Sequence, residues 1–137
     1  MDSPFYMLAL ASFLVPLHTH STFRSTSALF MFGTDSLAEQ IQRAFPQTKV
    51  VKTLNAVTAR IVVYPQEVAG GDYHGFVSAN DTDTKVRVTD LLRSFGWIHI
   101  LDLGDFSSAR DVEAYLLLWL CLFGAMNTGM LNIKIMK

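Results

Sequence analysis

In the first half of the chain, segments whose apolar residues recur with helical spacing alternate with segments typical of β-strands. The first clear helix follows Ser36, which stands three residues before Glu39 as in a capping box, and Pro46 ends it. Residues 48–54 are rich in β-branched side chains and predict a strand that is buried on both faces. Asn55 stands where this strand should end.

The second half of the chain repeats the alternation. Residues 59–65 predict either a short strand or a helical turn, residues 75–79 a short strand, residues 82–95 a helix, and residues 97–103 a last strand. An apolar helix follows a Gly-Asp turn. The inner stripe of the 82–95 helix is predicted to consist of Val88, Leu91, Leu92 and Phe95. Strands and helices alternating at this spacing predict an α/β fold with a mostly parallel sheet and flanking helices.

The first 33 residues show no clear periodicity. Residues 5–17 are apolar, but no Lys or Arg precedes them, which argues against a secretory signal. Residues 8–15 are compatible with a buried strand that ends at Pro16. His18 and His20 have a spacing that some metal sites use, yet no third ligand stands near them, so we expect a loop and no metal site.

Composition and charge narrow the functional classes. The length of 137 residues suits one domain. With 50% apolar and 17% charged residues, the chain is more hydrophobic than a typical soluble domain. A formal net charge of −1 without a basic segment argues against nucleic-acid binding. The single cysteine, Cys121, is interpreted as a small buried hydrophobe in a reducing cytoplasm. The apolar run 114–126 is too short for a bilayer span, so we expect no membrane association.

The sequence contains few of the motifs that indicate a particular enzymatic reaction. The eight glycines form neither GxGxxG nor GxxxxGK[ST], and HExxH, CxxC and a nucleophile elbow are absent from the sequence. Asn55 offers a donor and an acceptor that could hold an amide or a hydroxylated ring, or it could cap a turn. Arg110 and Glu113 are three residues apart and are predicted to pair as scaffold. The last helix is apolar on all sides from Tyr115 onward, which predicts burial on every side and a subunit interface.

Four sequence blocks in this order resemble the later part of the deazaflavin-dependent NADP oxidoreductase-like family, which is related to the NADP-binding domain of pyrroline-5-carboxylate reductases. The blocks are GTDSLAEQIQRAFPQTKVVKTLNAV, SANDTDTK, LLRSFGW with ILDLGDFSSARDVEAY, and LNIKIMK. The resemblance covers residues 33–137. It extends to residue 15 if Val15-Pro16-Leu17 corresponds to an Asn-Pro-Leu loop of the family, with Val15 in place of the Asn.

The resemblance implies a partial Rossmann-like, doubly wound fold that lacks the N-terminal glycine-rich β-α-β unit. We therefore expect a single truncated NAD(P)-binding domain over residues 1–137, with an atypical leader at 1–14 and a family-like part at 15–137. It also implies hydride transfer between NADP(H) and a deazaflavin or similar acceptor. Because the phosphate loop is missing, cofactor binding should be impaired, and whether the chain is an enzyme stays open.

The resemblance implies specific contacts as well. Pro16, Leu17 and Asn55 would contact the cofactor. Substrate contacts would come from Asn55, Ala56, Gly104 and Ser107, with the Gly104 turn forming the far wall of one cleft. The helix stretch that begins with Tyr115 and ends with Phe123 would pair two copies into a homodimer. The alternative is a non-enzymatic half-domain that pairs with itself or with another chain through an exposed sheet edge.

Overall fold

The computed structural model describes residues 6–9 and 34–137. Four strands and four α-helices follow one another in these ranges, and three short 3₁₀ turns lie at Pro65–Glu67, Ala69–Gly71 and Phe106–Ser108. In chain order the elements are β1 (Tyr6–Ala9), α1 (Leu37–Ala44), β2 (Lys49–Thr53), α2 (Ala59–Val63), β3 (His74–Ser78), α3 (Thr82–Ser94), β4 (His99–Asp102) and α4 (Ala109–Met126). From residue 34 onward the predicted strands and helices are confirmed to within a few residues, and the ambiguous run 59–65 contains a short helix, α2. Of the strand predicted at residues 8–15, only residues 8 and 9 lie within the described ranges, and both belong to β1.

The four strands form one mixed sheet in the order β1-β2-β3-β4. β1 runs parallel to β2, and β3 runs parallel to β4, which confirms the α/β class with a mostly parallel sheet. The pairing of β2 with β3 is antiparallel, with Lys52 opposite Ser78. The alternation of elements did not predict this antiparallel pairing. A parallel pairing needs a full crossover helix, whereas the connection between β2 and β3 holds only a five-residue helix and short turns.

Because of the antiparallel pairing, strands terminate at two opposite ends of the sheet. β1 and β2 terminate at one end, which we call the β2 edge. β3 and β4 terminate at the other end, which we call the β4 edge. In open α/β sheets, ligands gather at the carboxyl ends of strands, so each edge is a candidate location for a site.

Both faces of β2 are covered, as predicted. Val51 packs with α3 and α2 in the main core, whereas Val50 packs with α1 and the start of α4. The indole of Trp97 closes the main core against Tyr73, edge to face at 5.5 Å, and its Nε1 donates to the carbonyl of Val62 at 3.1 Å. The main core consists of Val51, Leu54, Ile61, Tyr73, Val77, Ala79, Val88, Leu92 and Trp97.

The N-cap half of the predicted capping box of α1 is confirmed, whereas the amide of Ser36 donates to Asp35 at 3.0 Å rather than to Glu39. The Ser36 hydroxyl accepts from the amide of Glu39 at 3.1 Å and donates to the Glu39 carboxylate at 2.8 Å. The predicted inner stripe of α3 is only partly right. Val88 and Leu92 are buried, but Leu91 and Phe95 are 45% and 36% exposed, because this helix covers the sheet with a narrower face than the pattern suggested.

Helix α4 departs from its predicted burial. Its buried residues lie in the first half, up to Leu116, whereas Leu118 is 51% exposed and Cys121 is exposed. The predicted burial against a second subunit stays a prediction, but within the single chain the helix is therefore not buried on every side and Cys121 is not buried. The reason is length: 18 residues span about 27 Å, whereas strands of four or five residues span only about 13–17 Å, so the helix overhangs the sheet.

The C-terminal segment, residues 127–137, returns along β3. The His74 amide donates to the carbonyl of Ile133 at 3.0 Å, and the Ile135 amide donates to Nδ1 of His74 at 3.2 Å. Lys134 pairs with Asp72 at 2.6 Å. These contacts hold the segment beside the β2 edge. In the part of the chain that the structure describes, α4 included, no helix combines the length and apolarity of a membrane span.

Candidate functional site

The structure separates the residues that the sequence analysis grouped into one cleft. Asn55 and Ala56 lie at the β2 edge, whereas Gly104 and Ser107 lie at the β4 edge. The expectation of a single cleft is wrong, because the antiparallel pairing of β2 with β3 sends the ends of β2 and β4 to opposite sides of the sheet. Pro16 and Leu17, like His18 and His20, lie outside the described residues.

At the β2 edge, the side chain of Asn55 is held in one orientation. Its Nδ2 donates to the carbonyl of Val112 at 3.0 Å and lies 3.5 Å from the carbonyl of Glu113. Two carbonyls can only face the NH₂ end of the amide, so Oδ1 is turned away from α4. Among the described residues, this oxygen is buried and has no hydrogen-bond partner. The preceding residue, Leu54, has a φ of 47°, a sharp turn that non-glycine residues rarely adopt.

A small cavity lies next to Asn55. It offers about 10 Å³ to the centre of a water molecule. Two further polar groups on its wall are buried without a partner in the described part of the chain: the Tyr115 hydroxyl and Nδ2 of Asn132. Burial raises the pKa of Tyr115 to about 12, so its hydroxyl keeps its proton. The wall includes Asn55, Ala56, Phe76, Val112, Tyr115 and Asn132.

A buried ion pair joins β2 to α4. The side chain of Lys52 is fully buried, and its Nζ lies 3.2 Å from Oε1 of Glu113. Burial lowers the pKa of Lys52, and the Glu113 carboxylate opposes that shift. The same carboxylate accepts from the amides of Leu37 at 2.9 Å and Ala38 at 3.2 Å. Glu113 therefore joins β2, α1 and α4 at one point.

The predicted Arg110–Glu113 pair does not form. Arg110 instead makes a two-pronged contact with Glu39 at 2.8 and 2.6 Å, while Glu113 turns to Lys52. Partners on other elements displace the local pair because they offer more hydrogen bonds. A sequence signal for Lys52 existed: a lysine inside a strand that is buried on both faces needs an opposite charge.

Two helix N-termini near the sheet, those of α1 and α3, do not fit a phosphate group. The first amides of α1 bind the Glu113 carboxylate, and the next binds Ser36. Asp81 caps α3 by accepting from the amide of Thr84 at 2.8 Å. A carboxylate already occupies the position that a phosphate would take at each of these two termini. The N-termini of α1 and α3 therefore do not fit the diphosphate part of NADP, although the unpartnered oxygen of Asn55 fits a hydrogen-bond donor.

The β4 edge holds a wider and more open cleft of about 350 Å³. Ser107 lies on its wall, but its amide and hydroxyl both donate to Asp105, at 2.9 and 2.5 Å, and these bonds hold the pKa of Asp105 below its usual range. The carbonyl of Gly104 accepts from Lys85 at 2.9 Å. The polar groups of both predicted residues are thus satisfied locally. The cleft is lined by Glu39, Gln42, Arg43, Asn80, Asp105, Phe106 and Ser107.

Metal chemistry has no support in residues 34–137. No group of three or more His, Cys, Asp or Glu side chains in this range is arranged to hold a metal ion. The ring pair of His74 and His99 stacks at 5.3 Å, and His99 lies 3.3 Å from Asp72, but these groups stand within a contact that anchors the C-terminal segment.

Comparison with solved structures finds a protein that is similar in sequence and in fold. The chain is similar to a candidate F420-dependent NADP reductase from Arthrobacter sp. FB24, with 48% sequence identity and a TM-score of 0.78. The similarity covers 80% of this chain and 50% of that reductase, so the chain spans half of its length. It confirms the family resemblance of the sequence blocks and the partial Rossmann-like fold. No protein-family model and no curated protein matches the chain.

Proposed function

We propose that this chain, a relative of the F420-dependent NADP reductases, forms the hydride-acceptor end of an NADP-linked oxidoreductase site, with the acceptor bound at the β2 edge. The single observation that carries the proposal is the oxygen of Asn55. Its Oδ1 is buried without a partner among the described residues, and the bond from Nδ2 to Val112 fixes its direction.

The orientation of Asn55 defines what it recognises. An amide whose nitrogen is already bound can offer only its carbonyl oxygen, so the ligand must supply an N–H or O–H group. The carboxamide of a nicotinamide and the ring N–H of a deazaflavin both meet this requirement. Ala56, which is 3% exposed, lines the same small cavity with a small side chain.

The neighbouring strand ends on the same side of the sheet, because β1 runs parallel to β2. By resemblance, Pro16 and Leu17 would line the nicotinamide. NADP(H) and the deazaflavin would carry the hydride chemistry, while the protein would supply binding and orientation.

An acceptor-binding experiment tests the role of Asn55. Oxidised F420 is titrated into the full chain and followed by its fluorescence. We expect Asn55→Leu to weaken binding by about ten-fold or more, because a buried hydrogen bond is lost, while Ser107→Ala leaves binding unchanged. Ala56→Val, which narrows the same site by two methyl groups, should weaken binding as well.

The controls separate the two edges of the sheet. Thermal denaturation of each variant checks that it is folded. If Ser107→Ala weakens binding and Asn55→Leu and Ala56→Val do not, the acceptor site belongs to the β4 edge with Gly104. If F420 does not bind and the chain self-associates, the non-enzymatic interaction module is the better description.

Cofactor affinity forms a second part of the proposal. The 137 residues contain no glycine-rich phosphate loop, and carboxylates occupy the N-termini of α1 and α3. We expect NADPH to bind this chain weakly, without saturation in a calorimetric titration. A dissociation constant in the micromolar range would contradict this expectation.

Self-association is a third part. The outer half of α4 exposes apolar side chains such as Leu118, which supports pairing of two copies through residues 115–123. A helix that presents a wide apolar surface usually packs against another element.

A further inference from the structure

The cavity at the β2 edge brings together three buried polar groups that come from separate parts of the chain. Asn55 follows β2, Tyr115 belongs to α4, and Asn132 lies in the C-terminal segment. Within the described residues, Oδ1 of Asn55, the hydroxyl of Tyr115 and Nδ2 of Asn132 each lack a hydrogen-bond partner. Buried polar atoms without partners are rare in native proteins, and three on the wall of one cavity need a common explanation.

The chemistry of the three groups is complementary to a single small molecule. Asn55 presents an acceptor and Asn132 presents a donor, while the hydroxyl of Tyr115 can act as either. A molecule that both donates and accepts can therefore satisfy all three at once. The cavity offers about 10 Å³ to the centre of a water molecule, which is the room that one water needs, and the three partners match the usual number for a buried water.

We propose that Asn55, Tyr115 and Asn132 form a binding site for one structural water molecule. The water donates to Oδ1 of Asn55 and accepts from Nδ2 of Asn132. It forms a third hydrogen bond with the hydroxyl of Tyr115, either as donor or as acceptor. It thereby links the C-terminal segment to β2 and to α4. The site belongs to the ligand-free chain, and an acceptor bound at Oδ1 of Asn55 would displace this water.

The surroundings of the cavity favour a fixed geometry for this water. Nδ2 of Asn55 is bound to Val112, and the ring of Tyr115 packs edge to face against Phe76 at 6.3 Å. The C-terminal segment is anchored on both sides of Asn132, because Leu131 is buried and the carbonyl of Ile133 accepts from His74. The three polar groups are thus held by contacts outside the cavity.

A crystal structure of the ligand-free full chain tests the proposal directly. We expect one ordered water within about 2.6–3.2 Å of all three polar atoms. A cavity without electron density would overturn the proposal, as would a direct hydrogen bond between Asn132 and either of the other two side chains.

A double-mutant cycle provides an independent test in solution. Tyr115→Phe and Asn132→Leu preserve shape and remove one partner each, and each should raise the unfolding equilibrium constant by roughly ten-fold. Because both partners bind the same water, the double variant should fall several-fold short of the product of the single effects. Tyr64→Phe, at a tyrosine that is 50% exposed, serves as the matched control and should change nothing. Effects that multiply fully would overturn the proposal.

Discussion

At the scale of single residues, the structure shows how one end of the Asn55 side chain is used. The residue could have bound a ligand or capped a turn, and both types of hydrogen bond were available to it. The structure uses its donor to hold α4 through Val112 and leaves its acceptor buried without a partner in the described ranges. One side chain can therefore be structural at one end and available for recognition at the other.

Asp81 shows how the contacts of a helix cap change the pKa of a half-buried carboxylate. Lys49 at 2.7 Å, together with the hydroxyl and amide of Thr84, holds the pKa of Asp81 well below its usual range. A carboxyl group with a depressed folded-state pKa stabilises the fold above its unfolded pKa of about 4 and loses that contribution as the pH falls further.

This leads to a prediction for acid conditions. The urea midpoint of the wild-type chain should fall between pH 5 and pH 2, and Asp81→Asn should show a smaller fall because the titrating group is gone. Urea denaturation at a series of pH values measures the effect. Asp83→Asn, which removes a neighbouring carboxylate and leaves the contacts of Asp81 in place, is the control; an equal fall in both variants would refute the assignment.

At the scale of elements, the buried carboxylate of Glu113 connects three secondary structures. It neutralises Lys52 of β2 and accepts from the first two amides of α1, so the positive end of that helix also favours its negative charge. The two members of the ion pair are therefore not equivalent. Glu113 has further partners without Lys52, whereas the ammonium group of Lys52 has no other carboxylate beside it among the ion pairs of the described residues.

The asymmetry predicts unequal costs of removing the two charges. Glu113→Leu should lower the free energy of unfolding by roughly 3–5 kcal/mol, because it leaves a buried cation and two amides without partners. Lys52→Met should cost less, since the carboxylate keeps both amides. Urea denaturation at neutral pH compares the two variants, and a greater loss in Lys52→Met would show that the amides do not support the carboxylate.

At the scale of the whole molecule, one antiparallel pairing decides where a ligand can bind. Had β2 and β3 been parallel, Asn55 and the Gly104 turn would share an edge and could enclose one ligand. Their pairing with Lys52 opposite Ser78 places them at opposite edges instead. Asn55, which the family resemblance associates with the cofactor, follows a strand that ends at the β2 edge, whereas Pro16 and Leu17 lie outside the described residues.

The part of α4 that extends beyond the sheet leads to a prediction about the oligomeric state. If two copies pair through residues 115–123, Leu118→Lys should convert the chain to a monomer, because it places a charge within the apolar contact. Light scattering after size exclusion measures the mass. Val86→Lys, at an apolar side chain of α3 that is 54% exposed, is the matched control and should leave the mass unchanged. A wild-type chain that is already monomeric would refute the proposed dimer.

The sequence by itself determined the local elements and the fold class. The capping box at Ser36, the β-branched run before Asn55 and the start of α3 after Asp81 are short-range signals, because hydrogen bonds and side-chain periodicity within a few residues create them. Only the tertiary structure decided the direction of β2 against β3, the partner of Glu113 and the exposure of Leu118. These depend on contacts between residues far apart in the chain, and no local pattern records which distant group offers the better contact.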